Sequence, residues 1–93
     1  MKIKHFSGYG TVEAKKIKKS VKNGITSMHI QVKGNHECGL EPPYIDNYDV
    51  FNWLLKRFDR SVTDYTSIKN VKTDDRHLDR KGGVEVCDYF IEY

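Results

Sequence analysis

Asp46-Asn47-Tyr48-Asp49-Val50-Phe51-Asn52-Trp53-Leu54-Leu55-Lys56-Arg57-Phe58 is the stretch that decides the fold, because it is the one convincing helix and holds the single Trp. Asp46 suits the N-cap, and Asp49 places a second carboxylate beside the orphan amides of the positive helix end. Ile45 before the cap and Val50 at the fourth helical position have the spacing of a hydrophobic staple. Lys56 and Arg57 fall in the last turn, where cations offset the negative end. Pro42 and Pro43 set an extended approach without entering the helix. At about 100° per residue, Val50, Phe51, Leu54, Leu55 and Phe58 share one stripe, which predicts a helix over 47–58 laid on a sheet. Trp53 projects onto the opposite arc, among Asp49, Asn52, Lys56 and Arg57. Either a loop or terminus covers it, or it is an exposed anchor for a partner, since Trp and Arg are enriched in binding hot spots. Arg57 lies one turn away and can stack on it in both cases.

The remaining chain reads as strands and turns. Ile3 to Val12 is β-rich but broken by Gly8 and Gly10, the composition of a bulged strand or of two short strands with a bend. Its Gly-Tyr-Gly is no phosphate loop, because a third glycine and a following helix are missing. Ala14 to Lys33 is the clearest hairpin, turning at Asn23-Gly24, a pair that accepts the positive φ angles of a type I′ turn. Pairing Lys22 with Ile25 and running the register back unbroken puts Ile17, Val21, Thr26, Met28, Ile30 and Val32 on the face meant for the helix. Lys15 and Lys19 fall on that face too and must snorkel past the sheet edge. The other face carries Lys16, Lys18, Ser20, Lys22, Ile25, Ser27, His29, Gln31 and Lys33.

After the helix, Asp59 to Thr66 is a loop or short helical turn, Ser67 to Arg76 a strand, and Asp79 to Gly83 a turn. Val84 to Tyr93 is a strong strand. Cys87, Tyr89, Ile91 and Tyr93 alternate on one side of it, with Val84, Val86 and Phe90 on the other, as in a central strand. The expected fold class is α+β: a small antiparallel sheet in β-β-β-α-β-β order, with one amphipathic helix packed across one face. Residues 1–93 are expected to form a single domain.

Composition narrows the function class. Hydrophobic residues make up 38% and charged residues 31%, a balance that suits a small domain with a well-solvated surface. No run of about 18 apolar residues exists to span a membrane. The N-terminus lacks the apolar stretch of a signal peptide, so the cytoplasm is the default expectation. The net charge of +3 is unevenly spread: residues 1–40 carry eight lysines against two glutamates (8 − 2 = +6), and residues 41–93 eight basic against eleven acidic side chains (8 − 11 = −3). Such bipolarity bears on partners rather than on fold.

No motif frames a reaction. Cys38 and Cys87 lack Cys-x-x-Cys spacing and read as buried thiols. His36, Glu37 and Cys38, with His77 and Cys87, match no familiar zinc pattern, so neither metal nor cofactor is expected. Asp74, Asp75, His77 and Asp79 beside a Gly-Gly turn read as a solvated hairpin end. No nucleophile elbow surrounds any Ser or Cys, and the chain is read as a non-enzyme. The basic ribbon is the surface with chemistry. Lys16, Lys18, Lys22, His29 and Lys33 can track a phosphate backbone or meet an acidic protein, or can simply guard an exposed ribbon against edge pairing. Against base recognition, no aromatic residue is interleaved among these lysines.

The segments His5-Phe6-Ser7-Gly8-Tyr9-Gly10-Thr11-Val12-Glu13-Ala14-Lys15-Lys16-Ile17 and Tyr48 to Asp59 resemble small bacteriophage and prophage proteins, a class that includes many anti-CRISPR and other anti-defence inhibitors. The resemblance implies a non-catalytic, phage-encoded inhibitor that occupies the surface of a host nuclease or ribonucleoprotein in the bacterial cytoplasm. Lys16, Lys18, Lys22, His29, Lys33, Trp53 and Arg57 are the candidate binding residues for protein or nucleic acid. The runner-up expectation is a small nucleic-acid-binding accessory protein using the basic ribbon. A third is a nucleotide-sequestering protein or small enzyme whose site forms on oligomerisation.

Overall fold

A computed structural model describes residues 1–6, 10–35, 46–79 and 83–93. Five strands form one antiparallel sheet: β1 (Lys2–Lys4), β2 (Thr11–Lys22), β3 (Ile25–Asn35), β4 (Asn70–Asp79) and β5 (Val84–Glu92), in the spatial order β1-β2-β3-β5-β4. The chain leaves β3, crosses one face as helix α1 (47–58), reaches the far edge as β4 and returns as β5 into the gap. The fold class is therefore the α+β arrangement read from the sequence. A single 3₁₀ turn, Tyr65–Ser67, interrupts the loop between α1 and β4.

The β2–β3 turn follows its sequence. Asn23 and Gly24 have φ of 53° and 75°, and Lys22 pairs with Ile25. The ladder then departs from an unbroken register. Lys18 pairs with His29 but Lys16 pairs with Ile30, so Ile17 is an extra residue in a β-bulge. Ile17 consequently does not join the core, where an unbroken register would set it beneath the helix; it is 44% exposed. Past the bulge the faces exchange, and Val12 and Ala14 supply β2's buried residues. Close packing continues at Gly34, where a Cβ would stand 2.6 Å from Val12 Cγ1.

Helix α1 begins as its caps dictate. Asp49 N–H donates to Asp46 Oδ1 at 2.9 Å, and Asp46 N–H faces Asp49 Oδ2 at 3.5 Å, completing a capping box. Ile45 of the expected staple, together with Pro42 and Pro43, lies outside the described residues. One α-helical turn (Asn47–Val50) leads into a π-helical turn (Phe51–Leu55), and an α turn (Lys56–Phe58) ends the helix. The i→i+5 bonds of the π turn lodge an extra residue, which rotates the rest of the helix relative to a uniform α projection. Val50, Trp53, Leu54 and Leu55 are all buried, in one cluster with Met28, Ile30 and Val32 of β3 and Cys87, Tyr89 and Ile91 of β5.

Trp53 is only 3% exposed and presents no anchor to a partner. The N-terminal segment covers it: its indole N–H donates to the Lys4 carbonyl at 3.0 Å, and its ring packs against His5, Phe6 and Tyr89. Arg57 stays at the surface, its Nε–H donating to the Trp53 carbonyl at 2.8 Å.

Asp59, buried just past the helix, ties three elements together. It accepts from Ser61 Oγ and Tyr93 Oη, each at 2.6 Å, and pairs with Lys19 Nζ of β2 at 3.0 Å. Hydrogen bonds from Ser61 and Tyr93 outweigh burial and hold its carboxyl well below the usual carboxylate range. The folded state therefore resists a proton that the unfolded chain accepts near pH ~3.9. Its contribution is fully present above that pH and is lost as pH falls toward the depressed folded value. Asp59→Asn should lower the melting temperature at pH 7 and make its decline on acidification shallower than in the wild type. Parallel acid-side slopes in a pH series of thermal melts would remove Asp59 from this role.

Candidate functional site

The sheet face opposite α1 is assembled by register. Cross-strand rows bring Lys18, His29, Phe90 and Lys72 into one line, and Ser20, Ser27, Glu92 and Asn70 into the next. Lys18, Ser20, Ser27 and Lys72 are exposed, and Phe90, at 42%, is the large apolar side chain among them. The His29 and Phe90 rings stack with centroids 4.4 Å apart and planes 25° from parallel. An open hollow of about 410 Å³ surrounds this stack, bordered by Lys18, Ser20, Ser27, Lys72 and Glu92.

Asp88, one row further along, holds the stack in place. His29 Nε2 lies 2.9 Å from Asp88 Oδ1, Gln31 Nε2 donates to the same oxygen at 3.1 Å, and Arg76 donates to Oδ2 at 2.6 Å. Burial pushes the Asp88 carboxyl up, but the His29 and Gln31 hydrogen bonds and the Arg76 charge more than offset it and leave the group below its ordinary value. A buried carboxylate satisfied from three sides fixes one ring of the stack, and the Arg76 guanidinium offsets its charge, while exposed Asp74 stands opposite it on the same face.

The expected site residues divide by location. Lys18, Lys22, His29 and Lys33 share the open face, with Lys22 opposite Ile25 at the hairpin end and Lys33 between Glu13 and Val86. Lys16 leaves it, because the bulge sets Lys16 opposite the core residue Ile30 and brings Lys15 opposite Gln31 instead. Trp53 belongs to the core. Arg57 lies on the helix side, where it borders a separate hollow with Lys56 and Arg60. Sequence reasoning misses Phe90, Lys72, Arg76 and Asp88, although the alternation of β5 does set Phe90 off the apolar row of its strand. His36, Glu37 and Cys38 lie outside the described residues. Among those described, no three His, Cys, Asp or Glu side chains converge as metal ligands, and no helix is long and apolar enough to cross a membrane.

The geometry offers a half-exposed pair of stacked rings, long-armed cations on either side and polar side chains at the rim. Such a surface can hold a planar ring and its attached anions. Compared with family models, curated proteins and solved structures, the chain matches none.

Proposed function

We propose that the chain is a non-catalytic binding protein whose open sheet face takes single-stranded nucleic acid. The observation that carries this reading is the exposed Phe90–His29 stack set between Lys18 and Lys72. Unpaired bases stack on aromatic platforms, and lysines along the rim neutralise phosphates with release of counterions. The aromatic residue missing from the ribbon is supplied by a strand remote in sequence. A short oligonucleotide should bind with a steep inverse dependence on salt. Replacing Lys18, Lys22 and Lys72 by Gln should flatten that slope, and Phe90→Ala should weaken binding by about 1–3 kcal/mol. Lys16→Gln and Arg57→Gln, which alter charge off this face, should change little by comparison. Indistinguishable weak binding by wild type and the triple variant at low salt would sink the reading.

A second reading comes from the resemblance to phage inhibitors: occupation of a defence nuclease or ribonucleoprotein in the cytoplasm of a bacterial host. An exposed pair, Tyr48 and Tyr65, favours it, with ring centroids 5.4 Å apart at 82° beside Asp46 and Asn47. Tyrosines of this kind are common protein-facing contacts. Capture of a host complex that survives nuclease treatment and is lost in Tyr48→Ala/Tyr65→Ala would favour this reading over the first.

A further inference from the structure

We infer that the nucleic-acid hollow discriminates among bases and selects guanine, through Glu92; this rests on the reading of the open face as a single-strand site. A carboxylate bordering a hollow meant for phosphates needs an explanation, and Glu92 borders this one together with Lys18 and Lys72. Its place is set by register. Glu92 is two residues beyond Phe90 on β5, so both side chains rise from the same face about 7 Å apart along the strand. Asn70 Nδ2 donates to Glu92 Oε1 at 3.2 Å, which orients the carboxylate and leaves Oε2 and the second lone pair of Oε1 for another partner.

A base stacked on the exposed side of Phe90 carries its hydrogen-bonding edge toward this next row. A carboxylate only accepts, so it complements an edge made of donors. Guanine alone presents two adjacent donors, N1–H and the N2 amino group, matching the two oxygens side by side. Adenine and cytosine set a ring-nitrogen acceptor beside their amino group, and that lone pair would face an oxygen of Glu92. Uracil and thymine flank their single N–H with two carbonyls and fare no better. The edge concerned is the one consumed by Watson–Crick pairing, so the same contact selects an unpaired strand over a duplex. Lys18 and Lys72, in the neighbouring row, meet the phosphates on either side of the stacked base.

The test compares short oligothymidylates carrying one internal guanine, adenine or cytosine, or no replacement, for the wild type and Glu92→Gln. The wild type should bind the guanine-bearing strand about tenfold or more tighter than the others. Glu92→Gln keeps the size but turns one acceptor into a donor. It should lose that preference while holding the guanine-free strands at least as well, having shed a negative charge. Guanosine monophosphate should compete only weakly, since it brings one phosphate to a face of several lysines. Competition as strong as that of the oligonucleotide would overturn assignment to a strand. Binding without base preference, or a preference that survives in Glu92→Gln, would overturn the guanine inference and leave the single-strand reading standing. Failure of the wild type to bind any of the four strands at low salt would overturn both.

Discussion

Trp53→Ala is expected to cost roughly 3–5 kcal/mol, a large part of what a domain of this size has to lose. Three losses coincide. The indole fills the space between α1 and β5, so its removal opens a cavity lined by Tyr89 and the residues around Leu54. The Lys4 carbonyl loses its 3.0 Å donor. The His5–Phe6 segment loses the ring on which it packs, with centroids at 5.4 Å and 5.5 Å. Trp53→Phe retains most of the apolar volume and gives up the hydrogen bond, so its cost should be nearer 1–2 kcal/mol. Urea unfolding of the three proteins orders them directly, and quenching of the single Trp by acrylamide should be weak until the chain unfolds. A freely quenched Trp53, with Trp53→Ala within about 0.5 kcal/mol of wild type, would show the residue to be a surface anchor after all.

The division between legible and hidden features of this chain reflects the range of the forces involved. Helix start, hairpin turn and central strand are legible because each is set by residues within a few positions. Asp46 with Asp49 and Asn23 with Gly24 are of this kind. The assumption of an unbroken register hides the bulge, although the parity of the apolar residues marks it. Val12 and Ala14 occupy even positions of the helix-side row, whereas Val21 occupies an odd one, and Ile17 is the one inserted residue that reconciles them. A uniform α projection sets Trp53 off the apolar stripe, and it is buried there because the N-terminal segment lies over the ring; nothing local to Phe51–Leu55 announces that cover or the π turn. The open face is half legible. Its lysines are adjacent on one hairpin, but Phe90 and Asp88 arrive by pairing with His29 and Gln31 across about 60 residues, and Lys72 only through its own pairing with Phe90.

The bulge also decides which face of the sheet each lysine of β2 occupies. β1 pairs with β2 over Thr11 to Glu13, so among the described residues the ladder on the outer edge of β2 stops well short of the hairpin. Lysines and a bulge along such an edge discourage pairing with another chain. Lys16 and Lys19 serve that edge or the helix side, Lys19 through its ion pair with Asp59. Lys18 and Lys22 project to the open face, where no such protection is needed and an anion can be met. The lysines of one strand are thus divided between its two faces, and only those on the open face are available to the proposed ligand.

Leu54→Ala and Ile17→Ala, measured together, separate this bulged register from the regular one. Leu54 is fully buried at the centre of α1, inside the π turn and above the sheet. Its truncation should cost roughly 2–5 kcal/mol, with the larger values holding if the helix cannot settle into the cavity. Because the π turn packs Trp53 and Leu55 beside it, collapse is hindered on both sides and a value in the upper half of that range is expected. Ile17 is a residue of the same size that a regular ladder would place under the helix at similar cost. In the bulge it is 44% exposed, and Ile17→Ala should stay below about 1 kcal/mol. Chemical denaturation of both variants reads the difference, with unchanged m-values showing that the unfolded states are comparable. Equal, large losses at the two positions would restore Ile17 to the core and with it Lys16 to the open face. A small loss at Leu54 would instead detach α1 from the sheet.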